Sequence, residues 1–453
     1  MFDSKVMEKF HVVNLISINQ NDESFFIGKV EANWIKNIFT VSPAEYSISN
    51  LNIDYSIEDM EIEEQIDRLK KSKASDGYQR MEVISRVNEI ADYISTKQEY
   101  HIIPNSIIFA LSAELLLKKE DINMYLNEKT YSFFLFQDIN DSFLFIPKIL
   151  TESSDYKPIF VIDGNHRMMG IKKYVNKYNV KSFEIVGTFL INRDKVDQAE
   201  IFKTVNYKIK KVNKSYYYQI MGEFEEGQNE YIYLHYLARL LNEVEKSPLY
   251  CRIKMLGKSY DSINKQTISQ AFFVEHMYEW LFMEKTKLNI PQDNRVRRIP
   301  VLRYFYMSDN EKVSTRLIVR YFVAIRKMFN EHYSSKGIEW DSEGNILLKS
   351  IGIGAFIEIF PIIYISIMYE KHWLENQEHF ENIKSNDFIS YLKVIFEQMD
   401  LLQVIEREYS QGSGKGFIMK FAGLLSDKVI SSIPNYDEAE EKYVAWFREQ
   451  MIK

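Results

Sequence analysis

Five consecutive residues, Asp163, Gly164, Asn165, His166 and Arg167, place an acid, a glycine, an amide, an imidazole and a guanidinium side by side. They follow the apolar run Ile159-Phe160-Val161-Ile162 and precede Met168, Ile171 and Val175, which recur at helical spacing. A strand that runs straight into a helix leaves the N–H groups of the first helical turn without partners. Together with the positive end of the helix dipole, they make an anion site. Gly164 lets the backbone come close to a ligand. Arg167 offers a planar fork to phosphate oxygens, and His166 adds a donor whose charge depends on pH. Three jobs are open to Asp163: binding a ribose hydroxyl, holding a metal ion, or positioning Arg167. The turn has no Cys or Ser, so it does not fit nucleophilic catalysis. A plainer reading also stands: Asp163 caps the helix, Arg167 pairs with it across one turn, and acid-Gly-Asn is ordinary turn chemistry.

The elements that must position these residues are legible upstream and downstream. HVVNLISI, FFIGKV and IFTVSPAEYSI in the first 60 residues read as short strands and turns. Residues 57 to 71 are acidic first and basic last, which predicts an exposed helix aligned with its own dipole. After Asp76-Gly77, Val83, Val87, Ile90 and Ile94 fall at helical spacing, with Ile84 and Ala91 widening the stripe. Ser106 to Leu111 reads as a buried strand, SFFLF and SFLFIP as a hairpin, 158–163 and 183–192 as strands, and 196–205 as a helix. From Tyr217 onward apolar residues recur every three and four positions. The expectation is an α+β (mixed α/β) domain over 1–216 and a mostly helical domain over 217–453.

Composition narrows the classes. At 453 residues the chain suggests two domains, and 46% hydrophobic residues with 30 Tyr and 30 Phe supply ample core. A net charge of −7 excludes nucleic-acid binding by bulk electrostatics, so any DNA contact needs a local basic patch. One cysteine, Cys251, excludes an intramolecular disulfide and Cys-cluster zinc sites. The start lacks a secretory h-region, and the expected location is cytoplasmic. The apolar run 351–368 carries Glu358 and Pro361 in its middle and is read as a buried helix, not a membrane span.

Two basic stretches are candidate DNA contacts. Phe202 to Ser215 holds Lys203, Lys208, Lys210, Lys211 and Lys214 with no acid among them; Arg297 and Arg298 end the compact turn DNRVRR. A solvated face is the plain alternative for each. SQGSGKGF, 410–417, resembles a P-loop but fails the spacing: Tyr409 stands in the first glycine position and Gly416 in that of the Ser or Thr. His372 and His379 lie seven apart with no second-segment ligand, which is poor metal spacing.

Asp163-Gly164-Asn165-His166-Arg167 resembles the DGQHR motif, with Asn165 in the Gln position, one methylene shorter. YQR at 78–80, PNSIIF at 104–109, FKTVNYKIKKVNKS at 202–215, RIKMLG at 252–257 and ISQAFF at 268–273 resemble further segments of that family in the expected order. The family includes DndB-type regulators of DNA phosphorothioation and DpdB-type proteins of 7-deazaguanine modification. Its core is similar to the ParB/sulfiredoxin fold, where the equivalent turn holds the phosphates of ATP or CTP. The resemblance therefore implies NTP (ATP or CTP) with Mg²⁺ as ligand. Gly164, Asn165, His166 and Arg167 would hold phosphate, joined by Gln79, Arg80 and Asn206. Asp163, Asn165 and His166 would be catalytic, with Asp163 toward the metal. DNA and proteins of a DNA-modification or anti-phage defence operon are the implied partners, and the apolar helical half implies a homodimer. A non-catalytic DNA-binding transcriptional regulator is the alternative. A nuclease is weaker still, since only one carboxylate lies in the turn.

Overall fold

The computed structural model describes the chain except residues 1–3, 22, 42–45, 47, 54–55, 73–82, 97–101, 117–130, 138–140, 153–155, 208–212, 226, 228, 260–265, 283–298, 309, 343–344, 376, 410–413 and 453. It divides into two compact units. One comprises 1–45 and 75–211, the other 46–74 and 212–453. Residues 46–74 belong with the helices that follow residue 211, not with the sheet that surrounds them in sequence.

The first unit is built on nine strands: β1 Phe10–Gln20, β2 Glu23–Glu31, β3 Phe39–Thr40, β4 Ile107–Leu111, β5 Glu114–Leu116, β6 Phe134–Gln137, β7 Ser142–Pro147, β8 Ile159–Asp163 and β9 Glu184–Ile191. Among the described residues they form one mixed sheet in the order β3-β8-β4-β9-β2-β1-β7-β6-β5. The hairpin expected at SFFLF/SFLFIP is β6–β7, antiparallel with Phe134 opposite Phe145. β1 and β2 pair as a second hairpin, with Gln20 opposite Glu23. Strand β8 runs antiparallel to β4, with Ile108 opposite Asp163. The start of β4 therefore lies beside the end of β8, where the five-residue turn begins. In IFTVSPAEYSI the expected strand is Phe39–Thr40, the residues before it, Ala32–Ile35, form a short helix, and 42–45 and 47 lie outside the described residues.

Among the described residues, three helices of eight or more residues belong to this unit: α1 Ile84–Ser95, α2 Asn165–Lys177 and α3 Lys195–Tyr207. Met168, Ile171 and Val175 of α2 are 0–1% exposed and join Val161, Phe109 and Phe189 of the sheet in one core. Each buried side chain of this size contributes roughly 1.5–3 kcal/mol of apolar burial. On α1, Val87, Ala91 and Ile94 face inward as their spacing predicts, but Ile84 is 74% exposed and Val83 is the N-cap. The apolar stripe overruns the buried face by one turn.

The second unit is mostly helical, with one short parallel strand pair, Ile253–Lys254 and Ile268–Ser269. Its longer helices include α4 Glu230–Glu243, α5 Gln270–Leu281, α6 Glu311–Tyr333, α7 Ser350–Glu370, α8 Ser385–Gln398, α9 Lys415–Ser432 and α10 Tyr436–Ile452. Helix α7 is, among the described residues, the one helix long and apolar enough to cross a membrane. Its most apolar window is entirely buried inside the unit. Glu358 in its middle is 0% exposed and lies 2.9 Å from His276 Nε2 of α5. The run read as a core helix is one.

Candidate anion site at a strand-to-helix turn

Gly164 is the N-cap of α2, with φ +91° and ψ +18°. Only glycine adopts this left-handed conformation without steric cost. Space is limiting as well, since a Cβ there would meet Arg167 Nη2 at 3.1 Å and Ile107 Cγ1 at 3.2 Å. The turn closes when Met168 N–H donates to Gly164 O at 2.8 Å, leaving the earlier N–H groups of the turn outside the helical ladder.

Arg167 does not project from the turn. Its Nη2 donates to Asp163 Oδ2 at 2.7 Å and its Nη1 to Ser106 O at 2.9 Å, with side-chain exposures of 23% for Arg167 and 30% for Asp163. Of the three jobs open to Asp163, the geometry displays the positioning of Arg167, which is also the pairing of the plainer reading. The capping half of that reading is absent: no side chain caps α2. Ser106 went unremarked as a site residue because its contribution is a backbone carbonyl, which has no residue-type signature. The signal was PNSIIF, whose strand aligns antiparallel to β8. Asn165 Oδ1 is buried and has no hydrogen-bond partner. A buried carbonyl oxygen without a donor costs about 1–3 kcal/mol.

His166 links the turn to a second helix. Val83 N–H, at the N-cap of α1, donates to His166 Nε2 at 3.1 Å, so this nitrogen carries no proton in the bond. The contacts between the helices then run in parallel register. A Cβ on Gly170 would lie 2.6 Å from Ile90 Cγ2 and 3.2 Å from Val87 O. Lys173 Nζ donates to Asn88 Oδ1 at 2.5 Å, and the Tyr178 hydroxyl bonds Ser95. Residue numbers climb together on both helices, so α1 and α2 present their N-termini at the same end. Neither has a side-chain cap or an acid in its first turn. Each N-terminus acts as roughly half a positive charge. Two such ends side by side repel each other and favour an anion between or above them.

The remaining sequence candidates divide. Gln79 and Arg80, just ahead of Val83 in the chain, lie outside the described residues, as do Lys208, Lys210, Lys211, Arg297 and Arg298. Asn206 sits in the last turn of α3, whose residues there are described by backbone alone. Lys203 pairs with Glu200 at 2.6 Å, and Lys214 forms an ion pair with Glu275. Lys415 of SQGSGKGF is held by both Glu279 oxygens, at 2.5 and 2.7 Å. No group of three or more His, Cys, Asp or Glu among the described residues is placed to hold a metal ion.

The later segments that resemble the DGQHR family meet in the helical unit. Asn213 caps the helix Lys214–Phe224 and its Nδ2 donates to Leu256 O at 3.4 Å. Ala271 N–H donates to Ser215 Oγ at 2.9 Å. Gln270 spans the junction, donating to the carbonyls of Ser215 and Met255. NKS (213–215), RIKMLG and ISQAFF are thus three sides of one packed corner.

A mixed sheet whose strand end feeds an Asp-Gly-Asn-His-Arg helix, together with a helical unit that packs the accompanying segments, defines a two-unit protein of the DGQHR type. The family model for DndB, DNA-sulfur modification-associated, matches residues 15–247, and the chain belongs to that family. No curated protein and no solved structure matches it.

Proposed function

We propose that this member of a DNA-sulfur modification system is a DNA-associated accessory protein that holds a nucleoside triphosphate, ATP or CTP, by its phosphates at the Asp163–Arg167 turn. One observation carries the reading: the uncapped N-termini of α1 and α2 lie side by side, joined through His166 and Val83. The first-turn N–H groups are the primary phosphate donors. Arg167 is the reserve, because a phosphate can replace Asp163 as the partner of its guanidinium. Asn165 Oδ1, lacking a donor, is suited to a ligand hydroxyl or an ordered water. Mg²⁺ would arrive with the triphosphate, with Asp163 as its nearest carboxylate in the turn. The similarity of the turn to that of the ParB/sulfiredoxin fold supports the same ligand class.

A second reading has an observation of its own. Asp163 is engaged by Arg167. That favours binding without hydrolysis, as in a DNA-binding regulator whose turn grips a backbone phosphate.

The test is calorimetry with ATP and CTP, with and without Mg²⁺, on the protein and on Arg167→Ala, followed by phosphate-release assays. The expected result is micromolar binding by the protein and at least a tenfold loss in the variant. Equal affinities in both would defeat the nucleotide reading. No turnover, together with a gel shift on DNA that weakens steeply with salt, selects the regulator.

A further inference from the structure

The helical unit contains a cavity of about 420 Å³ beside the short helix Arg303–Met307, the start of α6 and the 3-10 segment Gln377–Asn382. Three rings stand at its wall, each edge-on to the others. Tyr304 and Phe305 lie 5.5 Å apart at 72°, Tyr304 and Phe380 6.0 Å at 84°, and Phe305 and Phe380 5.5 Å at 81°. Phe305 and Phe380 are only 1% and 2% exposed, so their faces are covered. Tyr304 is half-buried, stands on the cavity wall and is backed by Trp446 at 5.1 Å.

This distinction decides the ligand class. A cage for an organic cation requires several open ring faces around one charge. A planar base requires one face to stack on and polar groups placed along its edge. The cavity meets the second description. Asn310 occupies the N-cap of α6, where an Asn side chain normally accepts from a first-turn N–H, yet here it makes no capping bond. Its amide remains for another partner. Glu381 lines the same space; Arg320 Nη1 fixes its carbonyl at 2.8 Å while its side chain stays exposed. Among the described residues, no lysine or arginine lines the cavity. Glu381, a carboxylate that only accepts, and Asn310, an amide that can donate, both line the cavity, and such a pair complements an edge with two adjacent N–H donors and a carbonyl. Guanine presents that edge: N1–H and N2–H for Glu381, and O6 for the Asn310 amide nitrogen.

We propose that this cavity is a binding site for a guanine base. The base has two sources, a free nucleotide or an unstacked residue of a DNA strand, and the volume leaves room for the attached sugar in either.

Guanosine, adenosine and cytidine separate this site from the anion site, because none carries a phosphate. Calorimetry on the full chain should show guanosine binding at least tenfold more tightly than the other two. Glu381→Gln and Asn310→Ala, both near the surface and checked for native thermal unfolding, should each lower guanosine affinity at least fivefold. Arg167→Ala should leave it unchanged. Short single strands carrying one guanine, or adenine in its place, distinguish the sources. Guanine-dependent strand binding much tighter than guanosine assigns the base to DNA, while guanosine binding with no preference between strands assigns a free nucleotide. Lack of guanine preference in both nucleosides and strands overturns the proposal, as does full affinity in both variants.

Discussion

Among the arginines that pair with a carboxylate four residues away, Arg239 and Arg167 illustrate opposite uses of the same bond. Arg239 in α4 is 0% exposed. Its Nε donates to Glu243 Oε1 at 2.8 Å and its Nη1 to Glu223 Oε1 at 3.0 Å and to Leu69 O at 2.9 Å. Glu243 in turn accepts from the Tyr46 hydroxyl at 2.5 Å and from Ser49 N–H at 3.1 Å. Arg167, by contrast, keeps about a quarter of its side chain in solvent and has one carboxylate and one carbonyl as partners. A fully desolvated charge must keep every partner, because water cannot replace a lost one. A partly solvated charge can exchange its partner at small cost. The first pair is therefore structural, and the second can respond to an anion.

The comparison breaks first, and with the largest effect, at Arg239. Replacing it with Ala leaves two buried glutamates unmatched and should cost about 3–5 kcal/mol. Urea denaturation followed by circular dichroism measures this; a loss under about 1 kcal/mol would erase the contrast with Arg167.

Gly164→Ala comes next. The left-handed backbone at φ +91° costs a residue with a Cβ roughly 1–2 kcal/mol, and the new methyl group also crowds Arg167 Nη2. Stability should fall by about that amount, and nucleotide or phosphate affinity should fall with it. A variant as stable as the parent would mean that the turn relaxes freely.

Arg167→Ala should lower stability by less than about 1 kcal/mol, since its ion pair is partly exposed. A loss as large as that of Arg239→Ala would show that the turn arginine is structural too.

The smallest effect concerns pH. His11 of β1, stacked on Trp34 at 4.5 Å, has its pKa lowered from the ordinary 6.5 to about 4, chiefly by burial and then by Lys148. Above 6.5 it is neutral in both folded and unfolded chains, and its contribution is complete. As pH falls from 6.5 toward 4 the unfolded chain takes up a proton that the folded one resists, and stability declines. His11→Gln should flatten that slope in thermal midpoints between pH 7 and 4. An unchanged slope would assign the acid sensitivity to other groups.

What the sequence revealed follows from the range of the forces involved. Met168, Ile171 and Val175 could be read because a helix repeats locally, and the β6–β7 hairpin because its partners are neighbours. The five-residue turn was legible since each side chain advertises its chemistry. The pairing of α1 with α2 was not, because helices far apart in sequence meet through partners, such as Lys173 with Asn88 and His166 with Val83, that no local spacing announces. Gly170 was the available clue, as glycine within a helix often marks close approach. Ser106 and Val83 act through main-chain groups, which any residue supplies. Ile84 misled because apolar periodicity records what a helix could bury, not how far its neighbour extends.

Residues 46–74 interrupt the sheet-bearing unit in sequence yet complete the helical one, where Leu69 and Tyr46 meet helix α4. During synthesis this segment leaves the ribosome long before α4, so Ile57, Met60, Ile62 and Leu69, all nearly inaccessible in the finished protein, have no native cover at first. Cutting the gene near residue 216 would make that interval permanent and yield a fragment prone to clump. Deleting 46–74 from the same fragment is the way to recover a tractable sheet domain.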